Sequence, residues 1–202
     1  MNTRCECNCG TSEGRVEIGA TVPDVAFEAF QNEQIRKLSL LKGRRGKWTL
    51  VFFYPADFTF ICPTELGELA ENYHEFKKLN AEILSVSTDT VYVHKAWHDA
   101  SETIKKITFP MVADPTAVLA KLFGVYMKEE GLARRGTFII DPDGVLQTIE
   151  VHVNNIGRSA KELLRKLQAA QFVREHKGNV CPASWSPGDK TLRADISNVG
   201  KI

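Results

Sequence analysis

Apolar and polar stretches alternate along the chain in a way that predicts strands and helices in turn. The segment Trp48 to Tyr54, WTLVFFY, is an unbroken run rich in aromatic and β-branched residues. Such a run, closed by Pro55, is typical of a strand buried on both faces, and strands of this kind favour parallel sheets. Further on, apolar residues recur at spacings of three and four, which predicts an amphipathic helix that begins at or beside Cys62. Its apolar positions are Leu66, Leu69, Tyr73, Phe76 and Leu79.

The remaining chain continues this alternation. An extended piece at 25–30 and a polar loop at 43–47, GRRGK, precede the Trp48 strand in a weakly patterned region. The elements predicted after the first helix are a strand at 82–89, a helix at 91–104 with Val91, Ala96, Trp97 and Ile104 as apolar positions, a strand at 109–114, a short helix at 116–125, a hairpin at 136–153 that turns at Asp141 to Gly144, and a last helix at 159–176 with Ser159 as its N-cap and Leu163, Leu164, Leu167 and Ala170 on one face.

Length and pattern together predict one domain with an extension at each end. The chain has 202 residues, the size of one ordinary domain plus terminal segments. Residues 1–15 lack periodicity and are predicted to form a flexible, cysteine-rich arm. We predict that residues 16–177 form the domain and that residues 178–202, with Pro, Gly and Ser throughout, form an irregular C-terminal arm that docks on it. The predicted fold class is α/β, with a central mixed β-sheet flanked by helices.

Charge and composition exclude several classes of function. Lys and Arg number 26 against 25 Asp and Glu, so the net charge of +1 offers no bulk field to hold a polyanion or a membrane surface. Nucleic acid is therefore not an expected partner. The longest apolar run is far shorter than the roughly 20 residues that span a bilayer, and the polar N-terminus does not resemble a secretion signal. We expect no membrane association and a cytoplasmic location.

Cysteine use points to chemistry. Five cysteines in a cytoplasmic chain are not expected to form a static disulfide framework. Cys62 stands in a PxxxTxxCP stretch with Pro55, Thr59 and Pro63, between the buried strand and the amphipathic helix. Free N–H groups and the dipole at a helix N-terminus stabilise a thiolate, and the Thr59 hydroxyl could hold both that thiolate and a hydroxyl-bearing substrate. The alternative is a buried, inert cysteine beside a tight turn.

Three stretches resemble one family. YPADFTFICPTE is similar to the active-site segment of the typical two-cysteine peroxiredoxins and matches their PxxxTxxC motif at Pro55, Thr59 and Cys62. RGTFIID, which begins at Arg135, resembles the segment that carries the family's active-site arginine, and VCPASW resembles the surroundings of its resolving cysteine, here Cys181. The resemblance runs from about residue 16 to the C-terminus and implies a thioredoxin-like fold and thiol-peroxidase activity without a bound cofactor.

The resemblance also implies a role for each site residue. Cys62 attacks a peroxide and becomes a sulfenic acid, while Arg135 holds the thiolate and the peroxide oxygens. Thr59 and Pro55 shape the pocket, and Pro55 shields the sulfenic acid from water. Two further residues, Glu65 and Arg158, orient the arginine. The residues alone leave alternatives open: Glu65 and Arg158 are equally consistent with ordinary charges at helix ends. Arg135 is equally consistent with a surface charge beside a strand, like its neighbour Arg134.

Partners follow from the same resemblance. Cys181 reaches Cys62 of a second subunit, which implies a head-to-tail homodimer with two disulfides, and such dimers commonly assemble into rings, here expected to be decamers. Thioredoxin or a flavoprotein disulfide reductase supplies electrons. The chain lacks a GGLG insertion and a Tyr-Phe helix after Cys181, so it resembles the bacterial branch, the peroxidase subunit of alkyl hydroperoxide reductase. We hypothesise that its C-terminal arm unfolds readily and that Cys62 therefore resists overoxidation.

Other signals carry weaker hypotheses. Cys5, Cys7 and Cys9 have CxC rather than CxxC spacing, which favours incidental thiols over a metal site or thiol exchange. His94 and His98, four apart on a predicted helix, have the spacing of metal ligands, but a solvated helix face explains them better. Two rival functions are a chaperone-like ring and a thiol-disulfide oxidoreductase. The second is disfavoured because Cys62 is not part of a CxxC pair.

Overall fold

A computed structural model describes residues 14–200. The described strands are β1 (Ala26–Gln31), β2 (Gln34–Ser39), β3 (Trp48–Phe53), β4 (Ala81–Ser87), β5 (Met111–Ala113), β6 (Tyr126–Met127), β7 (Leu132–Ala133), β8 (Arg135–Ile140), β9 (Leu146–His152), β10 (Asn179–Val180) and β11 (Leu192–Arg193). The described helices are α1 (Cys62–Lys78), α2 (Val91–Ala100), α3 (Val118–Leu122) and α4 (Ala160–Glu175), with 3₁₀ turns at Ile104–Lys106 and Ile196–Asn198.

Seven strands form one mixed sheet in the order β2-β1-β5-β4-β3-β8-β9. The inner strands β3, β4 and β5 run parallel, and the other neighbours pair antiparallel. Two short pairs, β6 with β7 and β10 with β11, lie outside this sheet. The α/β class and the central mixed sheet predicted from the sequence are therefore confirmed.

Strand β3 separates two apolar cores. Its residues Trp48, Leu50 and Phe52 join the core beneath α1 and α4, whereas Val51 and Phe53 join the core beneath α3. Because successive side chains of a strand point to opposite faces, a strand with helices on both sides has no polar face. That arrangement explains the unbroken apolar run and places the end of β3 between the two cores.

Several boundaries differ from the prediction. The helix expected at 91–104 ends at Ala100, because Ser101 is extended and its hydroxyl accepts a hydrogen bond from the N–H of Ile104, where a 3₁₀ turn begins. Ala96, predicted as a buried position, is exposed. Ser159 is the N-cap residue of α4, but its side chain does not cap the helix. Its hydroxyl instead donates to Glu68 Oε1 at 3.2 Å.

The C-terminal arm contains more structure than predicted. Strands β10 and β11 pair within it, and Trp185 is buried against α4, with its ring 5.0 Å from that of Phe172. The Trp185 carbonyl accepts a hydrogen bond from Arg165 Nη1 at 3.1 Å. Trp185 therefore anchors this segment on α4. No helix in the described part of the chain is long and apolar enough to cross a membrane.

Candidate active site around Cys62

The chain delivers Cys62 to a helix start inside the protein. Strand β3 ends at Phe53, buried Pro55 begins an irregular segment, and Cys62 is the first residue of α1, with Pro63 in the first turn as predicted. The Cys62 side chain lies in the core beneath α1 and is only 1% exposed. A thiol at this position lies at the positive end of the dipole of a 17-residue helix.

Arg135 is the first residue of β8, the strand next to β3, and its side chain contacts the Cys62 thiol. Its Nη1 lies 3.4 Å from Cys62 Sγ, and its Nε donates to the backbone oxygen of Asn154 at 2.8 Å. Arg135 is buried, whereas Arg134 is exposed. The alternation of side chains along the backbone separates the two arginines, and the one matched by the resemblance is the one beside Cys62.

Glu65 links Arg135 to a second buried arginine. Glu65 Oε2 accepts from Arg135 Nη1 at 2.7 Å and from Arg158 Nη2 at 3.1 Å. Glu65 Oε1 accepts from Arg158 Nε at 2.9 Å and from the Arg158 backbone N–H at 2.8 Å. Burial lowers the pKa of Arg158, and its hydrogen bond to Glu65 opposes that change. Neither residue is an ordinary helix-end charge, because both side chains are 1% exposed.

Positive charge lies next to the Cys62 sulfur. Arg135 and Arg158 bring two positive charges and Glu65 brings one negative charge between them. Arg135 Nη1 contacts both Glu65 and Cys62 Sγ, so the sulfur faces a buried cation that it shares with the carboxylate. The thiolate is the nucleophilic form of cysteine, and a neighbouring cation is the setting that favours it.

Contacts that the sequence analysis did not anticipate hold Arg158 in place. Its Nη1 donates to the Gly136 carbonyl at 2.9 Å and to Thr137 Oγ1 at 3.0 Å, and its guanidinium lies 3.4 Å from the centre of the Phe52 ring. At Gly157 an added Cβ would lie 3.3 Å from Ile61 Cγ2, so only glycine lets this loop approach the start of α1 freely. The close approach of Gly157 to Ile61 leaves no periodic signal in the sequence.

Thr59 does not make the predicted contact with sulfur. Its Oγ1 donates to the Ala56 carbonyl at 2.9 Å, because the segment after Pro55 folds back on itself as a tight turn. The hydroxyl proton is thus committed, while the oxygen lone pairs remain able to accept a proton from a substrate. Thr59 is half-buried and Pro55 is buried, so both lie in the segment that leads to Cys62.

Cys181 lies on the arm, next to α4. The side chain is half-buried, and Sγ lies 3.9 Å from the Ala169 carbonyl oxygen. Burial raises the pKa of the Cys181 thiol, and the positive charge of Arg165 opposes the rise. Both Cys62 and Cys181 are free within one chain. The thiols Cys5, Cys7 and Cys9 lie outside the described residues.

The two histidines predicted to share a helix face do not converge. His94 is fully buried, which also overturns the expectation of a solvated face, and its ring nitrogens lie against Asp57 and Val112. His98 is half-buried and sits with Glu33 and Asp99 in a surface group of potential ligands that does not include His94.

Two family models match the chain. The model described as the AhpC/TSA family matches residues 18–149, and the model described as the C-terminal domain of 1-Cys peroxiredoxin matches residues 169–196. The first match contains Cys62 and Arg135, and the second contains Cys181.

Individual proteins are similar over most of their length. The chain is 51% identical over 175 residues to alkyl hydroperoxide reductase C of Salmonella typhimurium, which covers 87% of this chain and 93% of that protein. It is 49% identical over 185 residues to alkyl hydroperoxide reductase C of Bacillus subtilis, covering 92% and 98% respectively. Its fold is similar to the crystal structure of Enterococcus faecalis AhpC, with a TM-score of 0.79 and 48% identity, covering 82% of this chain and 98% of that chain. It is also similar to the crystal structure of reduced Plasmodium vivax 2-Cys peroxiredoxin, with a TM-score of 0.84 and 31% identity, covering 89% of this chain and 94% of that chain.

Proposed function

This chain belongs to the AhpC/TSA family and is a peroxiredoxin that reduces hydroperoxides, and from that premise we propose that Cys62 is its peroxidatic thiol and Cys181 its resolving thiol. The observation that carries the proposal is the 3.4 Å contact between Arg135 Nη1 and Cys62 Sγ at the start of α1. A permanent cation beside a buried sulfur stabilises the thiolate before reaction and the charge that develops on oxygen during it.

The oxidation step uses the groups around Cys62. The thiolate attacks the terminal oxygen of the peroxide, the O–O bond breaks, and sulfur keeps the oxygen as a sulfenic acid while water or an alcohol leaves. Arg135 holds the two peroxide oxygens, and Thr59 accepts the hydrogen bond of the attacked hydroperoxide. Pro55 excludes water from the sulfenic acid. Glu65 and Arg158 keep the Arg135 guanidinium aimed at sulfur through the hydrogen bonds that bridge the three side chains.

The resolution step requires movement. Cys181 sulfur attacks the sulfenic sulfur, a disulfide forms, and the sulfenic oxygen leaves as water. Two sulfur atoms must come within about 2.05 Å of each other, and Cys62 is 1% exposed in the core. The first turn of α1 must therefore unwind, and the arm must release Trp185 from α4. An external dithiol then returns two electrons and two protons.

The edge of the sheet supports a homodimer. Strand β9 pairs with β8 on one side and is the last strand of the sheet on the other. Ile149, Val151 and Val153 are exposed along it, and an exposed apolar edge is a template for another chain. A second copy paired there in antiparallel fashion buries this row and gives the head-to-tail arrangement that brings Cys181 to Cys62 of the partner.

Further assembly and the electron donor complete the proposal. Phe58, Phe60 and Tyr92 are exposed aromatic residues, and they support a second contact surface through which dimers build a decameric ring. The name of the bacterial relatives, alkyl hydroperoxide reductase C, supports organic hydroperoxides as substrates and a flavoprotein disulfide reductase or thioredoxin as donor. The need for a dithiol supply supports a cytoplasmic location. We assign residues 16–177 to the peroxidase domain and 178–202 to the arm with the resolving thiol.

Disulfide mapping tests these roles. Reduced protein, half of it labelled with ¹⁵N and re-equilibrated with unlabelled subunits, is treated with one equivalent of hydrogen peroxide. Free thiols are then alkylated, and the linked peptides are identified by mass spectrometry. We expect a Cys62 to Cys181 link whose mixed-isotope form shows that it joins two chains. A link from Cys62 to Cys5, Cys7 or Cys9 contradicts the role of Cys181.

Two variants provide the controls. Cys62→Ser should abolish peroxide turnover, whereas Cys181→Ser should still form a sulfenic acid at Cys62, trapped by dimedone, and fail to form the disulfide. A Cys62 that stays reduced in the unaltered protein contradicts the peroxidatic assignment itself.

A further inference from the structure

A buried polar network lies under the segment that precedes Cys62. The Asp57 carboxylate accepts a hydrogen bond from the Tyr54 hydroxyl at 2.7 Å and lies 2.7 Å from His94 Nδ1. His94 Nε2 lies 3.1 Å from the backbone oxygen of Val112. The side chains of Asp57 and His94 are both 0% exposed. The peroxidase steps derived from the Cys62 cluster assign no role to these groups.

The partners of His94 fix its orientation. A backbone carbonyl can only accept, so Nε2 carries a hydrogen and donates to Val112, and Nδ1 faces the Asp57 carboxylate, which also accepts from Tyr54. The contact between Asp57 and His94 is therefore buried and is held from both sides, by Tyr54 and by the Val112 carbonyl. Burial and the Asp57 charge raise the pKa of Tyr54 well above its usual value, which keeps its hydroxyl a donor.

The same network anchors the main chain. The Asp57 N–H donates to Asp89 Oδ2 at 2.9 Å, and Asp89 is in turn held by the Ser87 hydroxyl at 2.8 Å. The next residue, Phe58, has a φ of +54°, a left-handed conformation that a bulky side chain rarely adopts. Such a conformation persists only where surrounding contacts impose it.

We infer that Asp57 and His94 are positioning residues of the peroxide pocket, whose buried contact fixes the turn that sets Pro55 and Thr59 against Cys62. Asp57 stands two residues after Pro55 and two before Thr59. The Thr59 hydroxyl is itself tied to the carbonyl of Ala56, the residue next to Asp57. A displacement of the carboxylate therefore moves both pocket residues. This inference rests on the proposed role of Cys62.

His94→Asn in the full chain tests it. Asparagine can still donate to Asp57 but is too short to reach the Val112 carbonyl. A misplacement of about 1 Å can cost roughly 100-fold in rate, so we expect kcat/KM for hydrogen peroxide to fall about 10- to 100-fold. With dithiothreitol as reductant and saturating peroxide, kcat should be unchanged, because resolution and reduction do not use the turn. In the Cys181→Ser background, dimedone should still label Cys62 when His94→Asn is added, only more slowly.

Two further variants make the result decisive. His98→Asn, one turn along α2 and away from this network, should leave both constants unchanged. Tyr54→Phe removes one hydrogen bond to Asp57 without changing shape, and it should lower kcat/KM by less than His94→Asn does. The inference is wrong if His94→Asn leaves kcat/KM unchanged, or if kcat falls by the same factor, which is the signature of a general loss of folded enzyme. Absence of dimedone labelling at Cys62 in Cys181→Ser, with His94 unaltered, would instead overturn the role of Cys62.

Discussion

Replacing Glu65 by glutamine removes the carboxylate that lies between two buried arginines. Glu65 accepts four hydrogen bonds, two on each oxygen, all from Arg135 or Arg158. Glutamine keeps one carbonyl oxygen but turns an NH₂ group toward guanidinium donors, so at least one arginine loses its partner. Removing one member of a buried ion pair costs about 3–5 kcal/mol. Because a domain of this size loses about 2–4 °C of Tm per kcal/mol, we expect a Tm lower by about 6–20 °C.

Thermal unfolding gives Tm and urea unfolding gives the free energy of unfolding, both followed by circular dichroism at one fixed protomer concentration, because assembly itself adds to apparent stability. The matched control is Glu68→Gln, one turn along α1. Glu68 is half-buried and accepts one bond from the Ser159 hydroxyl at 3.2 Å, which a glutamine oxygen also accepts, so this variant should lose no more than about 1 kcal/mol. Equal losses for the two variants, or a loss below about 1 kcal/mol for Glu65→Gln, would refute the view of Glu65 as the counter-charge of the cluster.

Three other outcomes follow from the arm and the sheet edge. Burial raises the pKa of the Cys181 thiol and Arg165 opposes the rise, so Arg165→Met should leave less Cys181 thiolate at neutral pH and slow disulfide formation. The difference in rate from the unaltered protein should shrink as the pH increases, and rapid-mixing kinetics from pH 7 to 9 that show no such trend contradict the prediction. Val151→Lys places a charge in the exposed row on β9 and should break the dimer contact, so the variant should sediment as smaller species than the unaltered protein, whereas Val151→Thr should sediment like the unaltered protein. Under excess peroxide the Cys62 to Cys181 disulfide should remain the main product by mass spectrometry, and sulfinic acid at Cys62 after few turnovers would disprove a readily unfolding arm.

Elements that bury an apolar pattern were predictable from the sequence, and polar elements were not. Strand β3 and helix α1 carry long apolar signals, because each buries that pattern against a core. Strand β2 was missed since its residues, QIRKLS, are mostly exposed at the edge of the sheet and leave no alternation. Strands β6 and β7 have two residues each, too few for any period to show.

The site residues could be predicted from the sequence only in part, for a related reason. The helix start at Cys62 is a local signal, and the structure places the thiol there. Glu65 and Arg158 touch although 93 residues separate them, so their charges in isolation resemble those of any helix end. His94 was taken for a surface residue because its partner Asp57 lies 37 residues away and no periodicity connects the two. A polar side chain is buried only where a partner hydrogen-bonds to it, and a single sequence does not show which distant residues become partners.

The order in which the ribosome makes the cluster has a consequence for the newly made protein. Arg135 follows Cys62 by 73 residues, so at a synthesis rate of about 5–20 residues per second the ribosome adds Arg135 about 4–15 s after Cys62. Arg158 comes later still and reaches Glu65 only when the last helix is in place. The Cys62 thiol of the growing chain therefore lacks the guanidinium that we propose activates it. A truncated product that retains Cys62 but ends before β8 keeps only the reactivity of an ordinary cysteine.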